Sequence, residues 1–127
     1  MERDSAFGVS ARLRSRLQLE AVRQGGASSA GRLCVVVVLK TPPDTSRRVA
    51  FLISRRFSLL AVERNRARRL FRECWRRLWS RLTSPCWMTL IPRRGIKRAL
   101  QPQVQAEVEG HLRRLGIPLT PPEDADA

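Results

Sequence analysis

Apolar residues recur every three or four positions between residues 61 and 82, at Ala67, Leu70, Phe71, Cys74, Trp75, Leu78, Trp79 and Leu82. That period marks an α-helix of about four turns with a single apolar stripe. A stripe of this kind must be buried against a second layer, so the chain is committed to a packed fold in which this helix leans on a sheet or on other helices. With 127 residues, 43% of them hydrophobic, there is material for one such core and not for two.

The other side of the same helix is basic. At about 100° per residue, Asn65, Arg69, Arg72 and Arg76 line the centre of the face opposite the stripe,. Arg64 and Arg68 flank one side of it, Arg66 and Arg77 the other. Residues 47–81 hold twelve arginines against two acids, Glu63 and Glu73, a net +10 within a chain whose formal charge is +14. Solubility needs far less than this. Only Lys40 and Lys97 are lysines, so the charge is almost all guanidinium, which forks onto phosphate oxygens and stacks on bases. A solvated basic face or a helix lying on a membrane surface would also fit the pattern. Arginines this dense repel one another, which favours a polyanionic partner.

Periodicity gives the rest of the architecture. Leu13, Leu17, Leu19 and Val22 share one side of a helix over 11–24, stopped by Gly25 and Gly26,. Residues 27–31 can hold a short edge strand, and the block Val35, Val36, Val37, Val38 makes 33–40 a strand,. Pro42, Pro43 and Asp44 break the chain, and 48–54 resumes as a strand whose apolar run predicts burial on both faces and hairpin-like pairing with 33–40,. Ser84 and Pro85 end the basic helix, 86–91 reads as a strand, and a last helix over 103–115 precedes Gly116 and Pro118,. The expectation is a single α+β domain over 11–118 with a mostly antiparallel sheet, a flexible 1–10 and a disordered acidic 119–127.

Cys34, Cys74 and Cys86 are widely spaced and His111 is the sole histidine, which suggests neither a disulfide framework nor a zinc site. The longest apolar run, 33–39, is too short to span a bilayer, and no secretory pattern opens the chain,. A cytoplasmic protein without a membrane partner is expected.

The stretch Ala61-Val62-Glu63-Arg64-Asn65-Arg66-Ala67-Arg68-Arg69-Leu70-Phe71-Arg72-Glu73 resembles the RNR signature helix of the bacterial ribonuclease P protein. Just upstream, Val49-Ala50-Phe51-Leu52-Ile53-Ser54-Arg55-Arg56 is similar to that family's strand ending in a Ser/Ala-Lys-Lys step, with arginines for lysines. Ile91-Pro92-Arg93-Arg94-Gly95 resembles its last strand and basic exit. The resemblance implies an α/β sandwich with a left-handed βαβ crossover, which general handedness rules disfavour. It further implies a protein subunit with no catalytic residue of its own, serving a ribonucleoprotein that removes the 5′ leader of precursor tRNA. The partners would be the ribonuclease P RNA subunit, docked on the basic helix through Arg64, Asn65, Arg66, Arg68, Arg69, Arg72 and Arg76, and the single-stranded leader. Magnesium held mainly by the RNA would carry the chemistry.

The leader cleft departs from the family pattern. Where the family has phenylalanines on the first helix and an aromatic on the following strand, this chain has Leu19, Arg23 and Val37. Stacking on rings is worth ~1 to 3 kcal/mol per base, so grip on the leader passes to Arg23 and the basic flank of Arg55, Arg56 and Arg93. Phe51 is the one ring that could stand in, although a phenylalanine in a buried strand reads first as core.

Protein-based nuclease chemistry would need clustered carboxylates or a histidine acid/base pair, and the sequence offers neither. Glu63 and Glu73 are expected to pair locally with Arg66, Arg69 or Arg77, and His111 to be a surface or packing residue. A DNA-binding regulator would need a helix-turn-helix pair or a dimerisation repeat, and neither is visible. A general or ribosome-associated RNA binder would share the charge without needing the linked Ser-Arg-Arg and Arg-Asn-Arg motifs.

Overall fold

The computed structural model describes residues 5–122. In chain order these form α1 (Arg16–Gly25), β1 (Ala27–Ala30), β2 (Cys34–Leu39), β3 (Arg47–Phe51), α2 (Ala61–Trp79), β4 (Cys86–Pro92) and α3 (Gln101–Arg114), with 3-10 turns at Val9–Ala11 and Arg94–Arg98. The four strands make one sheet in the order β1-β2-β4-β3. β1 with β2 and β2 with β4 are antiparallel, whereas β3 and β4 are parallel, so β3–α2–β4 is the crossover unit.

Residues 33–40 and 48–54 do not pair with each other. β4 lies between them, and the reason is burial: β4 is buried along almost its whole length, whereas β3 carries Arg47 and Arg48 and buries only Val49. The most buried strand takes an inner seat and the half-polar one the edge,. That edge is covered by the N-terminal segment, where Leu13 donates its N–H to the Val49 carbonyl at 3.0 Å and Arg12 bridges to Val49.

That same segment shortens the first helix. Arg12 and Leu13 run along β3, and α1 begins only after Ser15, whose side chain accepts from the Gln18 N–H while Gln18 returns a bond to the Ser15 N–H. This capping box is written in the sequence as Ser15-Arg16-Leu17-Gln18 and outweighs the longer apolar period. Leu17 is consequently 83% exposed, while Val22 is buried.

Strand alternation divides the sheet between two layers. Cys34, Val36, Val38, Val49, Met88 and Leu90 meet Phe71, Cys74, Trp75 and Leu78 of α2 and Val104, Val108 and Leu112 of α3 in the main core. On the opposite face α1 covers one end of the sheet, packing Leu19 and Val22 on Val37, Leu39 and Trp87. α3 closes at Gly116, whose φ of 79° suits a residue without Cβ. The Ile117 N–H then reaches back to the Leu112 carbonyl at 2.9 Å.

Where they are described, both flanks contact the domain. The Trp75 indole donates to the Ala6 carbonyl at 2.7 Å, Arg72 lies 4.2 Å over the Phe7 ring, and Thr120 exchanges hydrogen bonds with Arg81. Residues 1–4 and 123–127, the ends of the expected flexible segments, lie outside the described residues. Among the described residues no helix is long and apolar enough to cross a membrane.

Candidate nucleic-acid interface

The twelve arginines of residues 47–81 divide into two populations. Arg47 lies 3.7 Å over the Trp79 ring and donates to the Trp79 carbonyl. Arg48 pairs with Asp44 at 3.1 Å and Arg81 with Glu109 at 2.7 Å in a largely buried bridge. Arg66 turns inward, donating to the carbonyls of Ile96 at 3.0 Å and of Ala99. These four hold the fold together. Arg55, Arg56, Arg68, Arg69, Arg72, Arg76 and Arg77 are exposed, and Arg64 is half-buried with one nitrogen on the Ser58 carbonyl at 2.9 Å.

Along α2 the exposed set forms a row. Arg68 rests on the Asn65 amide oxygen at 2.9 Å, and Arg76 and Arg77 bracket Glu73. Arg69 makes no hydrogen bond or ion pair among the described residues. The Arg76 and Arg77 guanidiniums hold the Glu73 carboxyl down to about 2, so it is charged at any ordinary pH. Glu63 does not pair with Arg66. It accepts from Ser58 and pairs with Lys97 at 3.3 Å, and both contacts depress its carboxyl.

The sheet face that α1 leaves uncovered forms the second surface. Beyond Val37 and Thr89 this face opens into a groove of about 560 Å³ with Leu52, Phe57 and Ile91 along it and Arg32, Arg56, Arg93 and Arg94 at its margins. Arg56 and Arg93 are therefore brought together, while Arg55 is exposed outside the groove lining. Leu19 lies at the covered end of the same face, packed into the small α1 cluster. Arg23 is exposed on α1 and paired with Glu20, which draws on its charge. Phe51 is on the wrong side for the groove. It faces α2, its ring 5.9 Å from that of Phe71, because its register partner Leu90 is a core-facing residue.

One cluster had no sequence signal beyond an i,i+4 pair on α3. Cys34, Glu107 and His111 bring their donor atoms within 4.8 Å of one another. Glu107 accepts the N–H groups of Leu33 and Cys34 at 3.1 and 3.0 Å and meets His111 Nε2 at 3.0 Å, while His111 Nδ1 meets the Ser29 hydroxyl at 2.7 Å. Burial, reinforced by the Glu107 charge, pushes the Cys34 thiol well up and away from thiolate character. With every polar atom already partnered, the cluster works as a clamp joining α3 to the β1–β2 turn.

Each described carboxylate (Glu20, Asp44, Glu63, Glu73, Glu107 and Glu109) is likewise engaged by a cation or a hydrogen-bond donor, and His111 is fully buried. The surface can bind and position an anion.

Fold and surface together define a small α+β protein with a basic, anion-binding helix face. A sequence model of the family described as Ribonuclease P matches residues 7–116, and the chain belongs to that family, as its protein component. The Ribonuclease P protein component of Symbiobacterium thermophilum is 38% identical over 106 residues, spanning 84% of this chain and 91% of the relative. The RNase P protein of Staphylococcus aureus superposes with a TM-score of 0.72 at 23% identity, covering 84% of this chain and 95% of that one. That of Thermotoga maritima gives 0.69 at 25%, covering 81% and 96%.

Proposed function

We propose that the chain binds the ribonuclease P RNA subunit through the exposed arginine row of α2 and steers the 5′ leader of precursor tRNA along the open sheet face. The ribonucleoprotein then cuts the leader away and leaves the mature tRNA 5′ end. The observation that carries this reading is the row Arg68, Arg69, Arg72 and Arg76, exposed along the helix whose apolar side is locked into the core. Cations held on a rigid helix can meet successive phosphates without first being ordered, and each phosphate neutralised releases counterions.

The residues of this face do not fit a magnesium site. Its two carboxylates already serve Lys97, Arg76 and Arg77, and guanidinium neighbours repel a divalent cation. Magnesium would therefore be held by the RNA, and activation of water and stabilisation of the leaving oxygen are the chemistry it would supply there. The protein contributes binding, orientation and relief of phosphate repulsion, which lowers the magnesium the RNA requires. The three cysteines are free, buried thiols, in keeping with a reducing cytoplasm.

Cleavage of precursor tRNA at low magnesium, assayed with RNA subunit alone, protein alone and both, tests the reading. Activity confined to the mixture supports it. Activity of the protein alone overturns it, and failure to stimulate a matched RNA indicates a general RNA binder instead.

A further inference from the structure

We infer that Arg66 is a positioning residue, a clasp that fixes the groove wall relative to α2 and so sets the register between the two RNA-binding surfaces; the inference rests on the function proposed above. Arg66 closes the Arg-Asn-Arg sequence, and its place on the helical wheel puts it beside the outward face. Its guanidinium is instead half-buried and spread over three backbone carbonyls, with Nη1 donating to Ile96 at 3.0 Å and to Lys97 at 3.3 Å and Nη2 donating to Ala99. These carbonyls lie at the end of the 3-10 turn Arg94–Arg98, where negative partial charge collects, and the Ile96 carbonyl also takes the Ala99 N–H at 3.1 Å.

The turn is held from both sides. At its front, Arg93 donates its N–H to the Leu33 carbonyl at 2.9 Å and its side chain to the Gly31 carbonyl at 3.1 Å. Gly95 is pressed so close that a Cβ there would lie 2.7 Å from the Arg32 carbonyl oxygen. At its back, α2 holds it twice, through Arg66 and, three residues earlier, through the Glu63–Lys97 pair at 3.3 Å. Arg93, Arg94 and Gly95 of this segment line the groove. The turn therefore stands between the groove and the arginine row as a strut, and Arg66 is its widest attachment to the helix. Lysine would keep the charge but offers a single ammonium where a planar fork reaches three acceptors.

The test uses holoenzyme reconstituted with the wild-type chain or with Arg66→Lys. Three quantities are measured: protein affinity for the RNA subunit, the salt dependence of that affinity, and holoenzyme affinity for leader-bearing precursor relative to leaderless tRNA. Arg66→Lys should hold RNA-subunit affinity within about threefold and leave the salt slope unchanged, while preference for the leader falls about tenfold, as expected when a binding group shifts by a fraction of an ångström to an ångström. A loss uniform across RNAs in Arg66→Lys, with the slope reduced by about one in the charge-removing Arg66→Gln, would make Arg66 a direct phosphate ligand and overturn the inference. Undiminished leader preference would overturn it too. If Arg66→Lys does not fold, Glu63→Gln weakens the second attachment of the same strut and should lower leader preference in the same direction; no change there counts against the strut. Absence of leader preference in the wild-type holoenzyme would instead sink the functional reading itself.

Discussion

The Glu73 carboxylate accepts from Arg77 Nε at 2.8 Å while Arg76 grips its other side. An acid thus sits within the arginine row and cancels part of its charge. Glu73→Gln frees both guanidiniums, so affinity for the RNA subunit should rise a few-fold and the salt dependence should steepen by up to about one phosphate equivalent. Equilibrium binding across a salt series checks this. Because the folded-state carboxyl lies near 2, below its ordinary 4.5, its contribution to stability is present above about 4.5 and is lost as pH falls through about 2. Binding should therefore show no Glu73-linked change between pH 5 and pH 8.

Arg69 makes no intramolecular hydrogen bond or ion pair among the described residues and stands exposed in the middle of the row. Arg69→Ala should lower RNA-subunit affinity and reduce the salt slope by about one, while thermal unfolding moves by no more than about 0.5 kcal/mol equivalent. An unaltered slope would remove Arg69 from the interface.

The contrast between Arg69 and Arg66 shows how far the sequence could be read. Both lie off the apolar stripe of α2, and helical period correctly placed Phe71, Trp75 and Leu78 in the core. Which guanidinium stands exposed and which holds a backbone turn depends on a segment thirty residues away in the chain, and no local period reports that. The same holds for Arg47 and Arg81, whose partners Trp79 and Glu109 lie 32 and 28 residues away in the chain, whereas Arg48 pairs with Asp44 only four residues before it. Strand identity was legible because it is local. Pairing was not, because β4 enters between β2 and β3 only after α2 has crossed over. The one local signal passed over was the Ser15–Gln18 capping box, which starts α1 five residues later than its apolar spacing suggests.

Glu107 satisfies two backbone N–H groups of the β1–β2 turn and His111 at once. Glu107→Ala strands those donors where only part of the loss is made good by water, so unfolding free energy should fall by ~2 to 4 kcal/mol. Chemical denaturation measures it. The same bonds hold the Glu107 carboxyl below its ordinary value against the burial that opposes ionisation, so its stabilisation is present above about 4.5 and fades as pH drops through the lowered value. Below that, wild type and Glu107→Ala should converge in stability.

Phe51 and Phe71 face each other across the β3–α2 interface with ring centroids 5.9 Å apart, which separates a core role for Phe51 from a leader-binding one. Phe71 is fully buried, and Phe71→Ala should cost ~3 to 5 kcal/mol. Phe51→Leu keeps an apolar side chain of similar bulk at a partly buried site and should cost under about 1.5 kcal/mol. If Phe51 lay under the leader, losing its ring would also forfeit ~1 to 3 kcal/mol of stacking per base. Because the ring points into the α2 side of the sheet, holoenzyme carrying Phe51→Leu should bind leader-bearing precursor as the wild type does, while Arg56→Ala and Arg93→Ala, at the groove margin, weaken it. A tenfold loss of leader affinity in Phe51→Leu at unchanged stability would mean that the leader runs along the other face of the sheet.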